Sequence, residues 1–353
     1  MLRREQWLAA LLPEVFRCDR LVLLGDVIEL RQCPVREALS AAEPVLREIG
    51  AALGPGSEAV IVPGNHDHHL AAAWLARRAR DTEPAPLGLE SAVDWEAGEA
   101  LGTVASWLEP ARVRAAYPGV WLRDDVYAIH GHYGDRHTTV PMFERLGAGA
   151  MARIVRDSAN GPARAEDYEA VLAPIYAWIH ALAQNRASGA ARGTDGASSR
   201  AWRTLSSGSR KRRNPRRTAL KLAFPATVAA LNRAGLGPLK ADISGSELRR
   251  AGLLAQAATL SRLGVRAPHV IFGHTHRAGP LPGDDDLFGW RTPEGAALLN
   301  TGCWVYERAF LGSDASSSPY RPGFCAVLDD EGPPALSNLL DGVVSFEPTP
   351  ARA

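Results

Sequence analysis

Four apolar runs in this chain each end beside glycine and side chains that can bind a metal ion. The runs cover 21–24, 59–62, 126–129 and 270–272, and none alternates polar with apolar residues. Unbroken apolar runs of this kind are typical of strands covered on both faces, as in α/β proteins. Because open α/β sheets carry their sites at the carboxyl ends of strands, the polar residues after the four runs are expected to share one site. These residues belong to Gly25-Asp26, Gly64-Asn65-His66-Asp67, His130-Gly131-His132 and Gly273-His274-Thr275-His276.

The remaining apolar residues predict helices around these strands and further strands after them. Side chains recur at helical intervals in three segments, and three more short apolar runs indicate strands. A tryptophan-rich stretch over 70–123 is predicted to form helical cover with loops. The expected fold is therefore α/β. The helical segments are 3–16, 38–52 and 168–184, and the additional strands are 297–300, 325–328 and 343–346.

Composition and charge argue against several classes of protein. With 46% hydrophobic and 22% charged residues, the chain of 353 residues can bury a large core. Its formal net charge of +1 gives no overall attraction to nucleic acid. The four cysteines are dispersed without a Cys-x-x-Cys pair, which argues against a disulfide framework and a structural zinc site. The first residues carry no apolar leader, and no run of about 18 apolar residues occurs, so we expect a cytoplasmic protein.

The segment 140–262 is predicted to be a cap region inserted into a single domain that spans 1–353. Within it, 185–214 consists largely of Gly, Ala, Ser, Thr and Arg, and no acidic residue occurs between Asp195 and Asp242. Such a composition buries too little apolar surface to fold alone, so 185–217 is expected to be a disordered basic loop.

Two interpretations of the basic stretch 210–221 stay open. It suits an anionic lipid or membrane surface, which would place the protein at the inner face of the membrane, or it is a solvated variable loop. Nucleic-acid binding ranks last, because the stretch offers no aromatic residue beyond Trp202 for stacking on bases.

The polar residues after the four strands are of the types that a divalent metal needs. Carboxylate oxygens and imidazole nitrogens together bind ions such as Mn, Fe or Zn, and two ions about 3.5–4 Å apart can hold the attacking and leaving oxygens of a phosphoester. A single histidine at a strand end is more often structural, but four such segments in one chain favour a metal site. The candidate ligands are Asp26, Asn65, His130, His274 and His276.

Four motifs, taken in order along the chain, resemble those of the calcineurin-like metallophosphoesterase family. The resemblance covers about 20–69, 126–132 and 269–301. It implies a four-layer α/β/β/α sandwich with two mixed β-sheets. It also implies two divalent metal ions and hydrolysis of a phosphomonoester, phosphodiester or pyrophosphate by a metal-bound hydroxide. The motifs are Gly25-Asp26-x-x-Glu29, Gly64-Asn65-His66-Asp67, His130-Gly131-His132 and Gly273-His274-Thr275-His276.

The resemblance also implies a role for each candidate ligand. Asp26 would bridge the two ions. Asn65, His130 and His274 would complete the shell of one ion, and His276 would bind the other. A bridging ligand has to be a carboxylate, because a neutral imidazole has a single lone pair to give, and Asp26 is the carboxylate among the candidates.

His66 and Asp67 are the residues with implied catalytic roles. By the resemblance, His66 would stabilise charge on the phosphate or protonate the leaving group, and Asp67 would orient its imidazole. A histidine suits proton donation near neutral pH. Asp67 is its neighbour in the sequence, although adjacency does not establish contact.

One motif of the family is missing. Relatives carry Asp-x-His on an opening strand before Gly-Asp, where it supplies two ligands to the ion that His276 also binds, and nothing upstream of Asp26 fits that pattern. The strings Asp67-His68-His69 and Asp135-Arg136-His137 match it but lie in the wrong places. We therefore hypothesise that Met1 is an incorrect or truncated start and that the opening strand lies upstream in the reading frame.

If the chain starts at Met1, a different outcome is expected. The second ion would keep two ligands, too few for tight binding, so we expect about one ion per chain, a sheet that lacks a strand, and weak or no hydrolysis. The alternative function is then a catalytically impaired or pseudo-enzyme module that binds a nucleotide or a partner without turnover.

Overall fold

The structure, a computed structural model, describes residues 2, 4–157, 161–184, 215–242, 244–284, 287–306, 308–311 and 315–343. Most of the loop predicted over 185–217 and the last three residues of the strand predicted over 343–346 lie outside these ranges.

In chain order, the elements are α1 (Glu5–Arg17), β1 (Arg20–Leu24), α2 (Val35–Leu53), β2 (Glu58–Val62), α3 (His69–Arg78), β3 (Glu90–Val93), α4 (Ala100–Trp107), β4 (Arg112–Arg123), β5 (Val126–Ile129), α5 (Phe143–Val155), α6 (Ala165–Gln184), α7 (Pro215–Arg233), α8 (Gly245–Leu263), β6 (His269–Phe272), β7 (Ala278–Gly279), β8 (Ala297–Thr301), α9 (Arg308–Leu311), β9 (Phe324–Val327) and β10 (Ala335–Asn338).

The chain divides by its internal contacts into two compact units. Unit 1 comprises Met1–His132, Ile179–Asn185 and Arg266–Ala353, and unit 2 comprises Tyr133–Trp178 and Arg186–Val265. The strands listed above belong to unit 1, and the described elements of unit 2 are helical. The segment predicted as an insert, 140–262, overlaps unit 2 except at 179–185.

Unit 1 contains a mixed sheet with the order β1-β2-β4-β5-β6-β8-β7, and β3 pairs with β4 beside this path. The parallel pairs of neighbouring strands are β1 with β2, β2 with β4, β5 with β6, and β6 with β8. Strands β4 and β5 pair antiparallel. The twelve-residue β4 joins the halves of the sheet, because its first residues pair with β2 and its last with β5. The predicted α/β class with a mixed sheet is therefore confirmed.

One hydrophobic core draws side chains from both halves of this sheet. Val60 of β2 and Ala116 of β4 lie in the same cluster as Ile271 of β6 and Leu299 of β8. Leu336 of the β9–β10 hairpin packs against the cluster. The sheet is curled, so residues far apart in its strand order share one interior. The unbroken apolar runs reflect this, since every residue of β5 is buried.

Most sequence-based elements agree with the structure to within a few residues, but the stretch 70–123, predicted to form helical cover with loops, also contains β3 and the central strand β4. Arg112, Arg114 and Pro118 interrupt the apolar residues of β4, so no unbroken apolar run marks it as a strand. The helices predicted over 3–16, 38–52 and 168–184 correspond to α1, α2 and the later part of α6. The strands predicted over 297–300 and 325–328 correspond to β8 and β9. Helix α7 continues through Pro225 and ends before Gly235. Of the described helices, none is both long and apolar enough to span a bilayer.

Candidate metal centre

Four of the predicted ligands converge at one point of unit 1. One ligand atom from each of Asp26, His130 and His274 lies within 4.8 Å of the other two. His130 Nε2 is 3.2 Å from Asp26 Oδ2, and the side-chain oxygen of Asn65 is 3.2 Å from both His130 Nε2 and His274 Nδ1. Bonds of about 2.0–2.2 Å to a metal place neighbouring ligand atoms about 3.0–3.5 Å apart, so the set fits a divalent ion.

Two glycines allow the segments that carry these ligands to approach one another. A Cβ at Gly25, which has a φ of +81°, would lie 2.2 Å from Nδ1 of His130. A Cβ at Gly64 would lie 2.5 Å from Oδ1 of Asp26. Neither space accommodates a side chain, so glycine at both positions is a requirement of the cluster itself.

The backbone of the cluster is strained. Among the described residues, four that are not glycine have positive φ, and three of them are Asp26 (56°), His274 (63°) and His276 (61°). Left-handed backbone costs such residues about 1 kcal/mol or more each, and strain of this kind concentrates at functional sites. At these positions the left-handed conformation turns the chain sharply just after β1 and β6, where the candidate ligands lie.

A backbone hydrogen bond orients His130. Its Nδ1 donates to the carbonyl oxygen of Leu24 at 2.9 Å, which turns Nε2 towards Asp26 and Asn65. Burial disfavours the charged imidazole, but the carboxylate of Asp26 outweighs burial and raises the pKa of His130 to about 9. The protein without metal therefore holds a proton at the point where the ligand atoms meet, and a bound cation would replace it.

Asp26 is the anionic centre of the cluster. Burial opposes its ionisation, but the positive charge of His130 and, second, of His66 holds the pKa of Asp26 well below its usual range. Its Oδ1 also accepts a hydrogen bond from the backbone N–H of His66 at 2.8 Å. The carboxylate is thus ionised at neutral pH, as a metal ligand has to be.

The amide of Asn65 has two orientations with different consequences. With its nitrogen turned inwards, the amide donates to Asp26 Oδ2 and His274 Nδ1, each at 3.2 Å, and its oxygen accepts from Arg31 Nη1 at 2.7 Å. Hydrogen bonding favours this orientation when no cation is present. An amide binds metals through its oxygen, so metal binding requires the opposite orientation, in which the oxygen joins the other acceptor atoms.

His66 pairs with Glu29 rather than with Asp67. Its Nδ1 lies 2.6 Å from Oε2 of Glu29. Burial works against the charged form, but Asp26 and Glu29 together raise the pKa of His66. The pairing engages Nδ1, so Nε2 is the nitrogen that can meet a ligand. Glu29 stands three residues after Asp26, and this spacing in the Gly-Asp-x-x-Glu motif is the signal that could have identified it.

The predicted role of Asp67 is corrected by its contacts. Its side chain is fully buried, and its oxygens accept backbone N–H groups of Gly64 at 2.6 Å, Val27 at 2.7 Å and Asp26 at 3.1 Å. A buried carboxylate is stabilised by donors of this kind. Asp67 therefore fixes the two glycine turns against each other, while Glu29 orients the imidazole of His66.

His276 lies near the cluster but outside the group of three ligand atoms described above. Burial lowers the pKa of His276 to about 4 against the opposing charge of Asp26, and the neighbouring His66 and His274 lower it further. It is therefore neutral at physiological pH, the form in which histidine binds metals. Together with Asp26 it is the pair of ligands that the resemblance implies for a second ion.

Asn300 positions the His274 segment and was missed by sequence reasoning. Its Nδ2 donates to the carbonyl of Gly273 at 3.0 Å and to Thr275 Oγ1 at 2.8 Å, and its Oδ1 accepts from the N–H of Gly302 at 2.8 Å. The residue is 1% exposed. A polar residue near the end of an apolar strand run was the available signal.

The terminal histidines of the two displaced Asp-x-His strings contact other aromatic side chains. The ring of His69 stacks on that of His180 at 3.9 Å, and burial with two nearby histidines lowers the pKa of His69 to about 4. His137 belongs to unit 2, where its Nε2 lies 2.8 Å from the hydroxyl of Tyr168.

We compared the chain with known proteins, and no family model, curated protein or solved structure matches it. The function of the site is therefore inferred from its geometry and from the resemblance that the four motifs carry.

Proposed function

We propose that this chain is a metal-dependent phosphoesterase of the calcineurin-like kind. The observation that carries the proposal is the convergence of Asp26, Asn65, His130 and His274, on strained backbone, beside the His66–Glu29 pair. Hydrogen-bond acceptors crowded this closely favour a cation. The four-layer sandwich is part of the proposal, and the two halves of the sheet joined by β4 support it.

Asp26, Asn65, His130 and His274 would hold one divalent ion, and Asp26 with His276 would contribute to a second. When bound, such ions neutralise phosphate charge and lower the pKa of water, which supplies a nucleophile at neutral pH. The carbonyl of Leu24 fixes the orientation of the His130 ring and so the position of one metal ligand.

His66 would be the proton donor of the reaction. Asp26 and Glu29 raise the pKa of the imidazole, and Glu29 fixes its orientation through Nδ1. The proton at Nε2 can then stabilise charge on the phosphate or pass to the leaving oxygen as the ester bond breaks. Asp67 contributes indirectly, by holding the backbone on which Asp26 and His66 stand.

A binding module without turnover is the second candidate. The observation that favours it is the ligand set of the second ion, which among the described residues consists of Asp26 and His276. A single tightly bound ion could anchor the phosphate of a nucleotide or partner without the clamp of two ions. Both candidates share the first metal site and differ in catalysis.

One experiment separates these candidates. The full chain is titrated with Mn²⁺ by calorimetry and then assayed with a chromogenic phosphodiester. Asp26→Asn should lower both metal affinity and turnover about 100-fold or more, because it removes the anionic ligand. Asp19→Asn, which changes an exposed carboxylate outside the cluster, should alter neither.

The outcomes are distinct. Metal binding with turnover that depends on Asp26 supports the phosphoesterase. Metal binding without turnover supports the binding module. Failure of the wild-type chain to bind Mn²⁺, Zn²⁺ or Fe²⁺ would remove both.

A further inference from the structure

We propose that Arg31 opposes metal binding at the candidate centre by holding the side-chain oxygen of Asn65 away from the other ligand atoms. Arg31 lies between β1 and α2, on the segment that follows Asp26. The inference rests on the proposed function, because it concerns the same metal centre. It adds a residue that sets how readily the centre binds an ion.

Hydrogen bonds fix Arg31 beside Asn65. The backbone N–H of Arg31 donates to Oε1 of Glu29 at 2.9 Å, and Oε2 of the same carboxylate lies 2.6 Å from Nδ1 of His66. The backbone N–H of Leu30 donates to the carbonyl oxygen of His66 at 3.1 Å. Arg31 follows Leu30 and Asn65 precedes His66, so the two segments are joined next to the contact between Arg31 and Asn65.

The guanidinium of Arg31 selects one of the two orientations of the Asn65 amide. Nη1 of Arg31 lies 2.7 Å from the outer atom of the amide, and it donates a hydrogen bond when that atom is the oxygen. With the nitrogen there instead, two donors would face each other at hydrogen-bond distance. Asn65 is 2% exposed, and a hydrogen bond from a charged donor is of the stronger kind. Arg31 therefore favours the orientation in which the oxygen points away from the ligand atoms.

A bound ion would replace the inner contacts of this amide but not the outer one. On the inner side, the amide nitrogen donates to Asp26 Oδ2 and His274 Nδ1, and a cation would interact with both acceptors in its place. On the outer side, the hydrogen bond from Arg31 is broken when the oxygen turns inwards, and the cation supplies no acceptor there. Loss of this bond is therefore a cost of metal binding, so Arg31 competes with the ion for one oxygen atom.

Competition and structural support predict opposite effects when the guanidinium is removed. A residue that supports the ligands weakens metal binding when it is lost. Loss of a competitor strengthens metal binding, and one hydrogen bond from a charged group corresponds to about a tenfold change in affinity. The sign of the change thus distinguishes the two roles of Arg31.

Calorimetric titration of the full chain with Mn²⁺ tests this inference. The variant Arg31→Met keeps an unbranched side chain but removes the donors, so it should bind Mn²⁺ about tenfold more tightly than the wild type. Arg47→Met is the matched control, because it makes the same change at an exposed ion pair with Glu43 on α2. It should bind Mn²⁺ like the wild type.

A second background separates the amide from the positive charge of Arg31. Asn65→Ala removes the amide but keeps Asp26, His130 and His274, which should bind Mn²⁺ more weakly. If Arg31 acts through the amide, the addition of Arg31→Met to this variant should change the affinity little. An equal gain in both backgrounds would assign the effect to the lost charge and would overturn the inference.

The remaining outcomes distinguish this inference from the proposed function. Mn²⁺ binding that Arg31→Met leaves unchanged or weakens would overturn the inference while the proposed function stands. A wild-type chain that binds no Mn²⁺, Zn²⁺ or Fe²⁺ would remove both.

NMR of the metal-free protein tests the contact itself. The signals of the Asn65 side-chain amide, identified by their absence in Asn65→Ala, should shift in Arg31→Met and stay unchanged in Arg47→Met. Unshifted signals in Arg31→Met would show that the contact is not made. Melting curves recorded without metal establish that each variant is folded.

Discussion

Two largely buried histidines, one in each unit, have pKa values that neighbouring charges of opposite sign shift in opposite directions. In unit 1, Asp26 outweighs burial and raises the pKa of His130 to about 9. In unit 2, burial and three arginines lower the pKa of His137 to about 3. The nearest of these, Arg262, has its Nη1 3.4 Å from Nε2 of His137. His130 is thus a charged partner of a carboxylate, whereas His137 is a neutral hydrogen-bond acceptor among guanidinium groups.

The difference indicates that the units have opposite electrostatic designs. Unit 1 concentrates acceptor atoms at a point that a cation can fill, whereas unit 2 surrounds His137 with arginines, of which Arg136 and Arg262 pair with Asp157. Burial alone would lower the pKa of both histidines. The nature of the neighbouring charges therefore determines the protonation state of each histidine.

The largest expected effect comes from crowding the cluster in unit 1. Gly64→Ala places a Cβ 2.5 Å from Asp26 Oδ1, so the ligand or the backbone has to move. We expect a loss of roughly 3 kcal/mol in the free energy of unfolding, measured with urea, together with loss of metal binding. Gly56→Ala is the control, because nothing lies within 4 Å of its Cβ. A Gly64→Ala protein that binds metal like the wild type would contradict the geometry of the cluster.

The second prediction concerns the pH dependence of unit 2. His137 is neutral in the folded state and titrates near its ordinary value of 6.5 when unfolded, so the unfolded state binds more protons between these values. Stability contributed by this residue is therefore present above pH 6.5 and is lost as the pH falls towards about 3. We expect a loss of about 3 kcal/mol in unfolding free energy between pH 6.5 and 4.

The variant His137→Gln checks this assignment. Glutamine keeps an acceptor for the hydroxyl of Tyr168 but does not titrate, so its unfolding free energy should depend less steeply on pH in the same window. Identical pH profiles for the variant and the wild type would show that His137 does not titrate as described.

A smaller effect is expected from Asn300→Ala. Removal of its three hydrogen bonds frees the segment that carries His274, and metal affinity should fall about tenfold, as is usual when a group that orients a ligand is lost. Asn338→Ala is the matched control, because Asn338 also bonds backbone groups but lies on β10. Calorimetric titration with Mn²⁺ measures both. Equal losses in the two variants would indicate a general effect on stability.

The smallest change is predicted for Glu29→Gln. Loss of the charge beside Nδ1 should lower the pKa of His66, because Glu29 is one of the groups that raise it. Titration of the imidazole signals by NMR in metal-free protein measures the shift. Glu14→Gln, on the exposed side of α1, should leave the His66 titration unchanged. If the pKa of His66 is unchanged in Glu29→Gln, a group other than Glu29 orients its imidazole.

The four strands that precede the candidate ligands, and most of the ligand set, could be predicted from the sequence for a simple physical reason. Strands buried on both faces require unbroken apolar runs, and polar residues directly after such runs have to lie at strand ends. Asp26, Asn65, His130 and His274 all satisfy that condition, so their convergence followed from the strand pattern.

Contacts set by the local path of the backbone could not be predicted in the same way. Asp67 follows His66 directly, yet the turn directs its carboxylate to the N–H groups of Gly64 and Val27. Glu29 reaches His66 because left-handed backbone at Asp26 redirects the chain. Likewise, the stacking of Phe143 on Trp178 depends on the pairing of two helices, which spacing within either helix does not specify.

The central claim is that Asp26, Asn65, His130 and His274 bind one divalent metal ion. Anomalous diffraction from crystals of the full chain grown with Mn²⁺ tests it most directly. A single strong peak is predicted about 2.0–2.4 Å from Asp26, His130 Nε2, His274 Nδ1 and the side-chain oxygen of Asn65. An absent peak, a peak away from these atoms, or an Asn65 amide whose nitrogen still faces the cluster would contradict the claim.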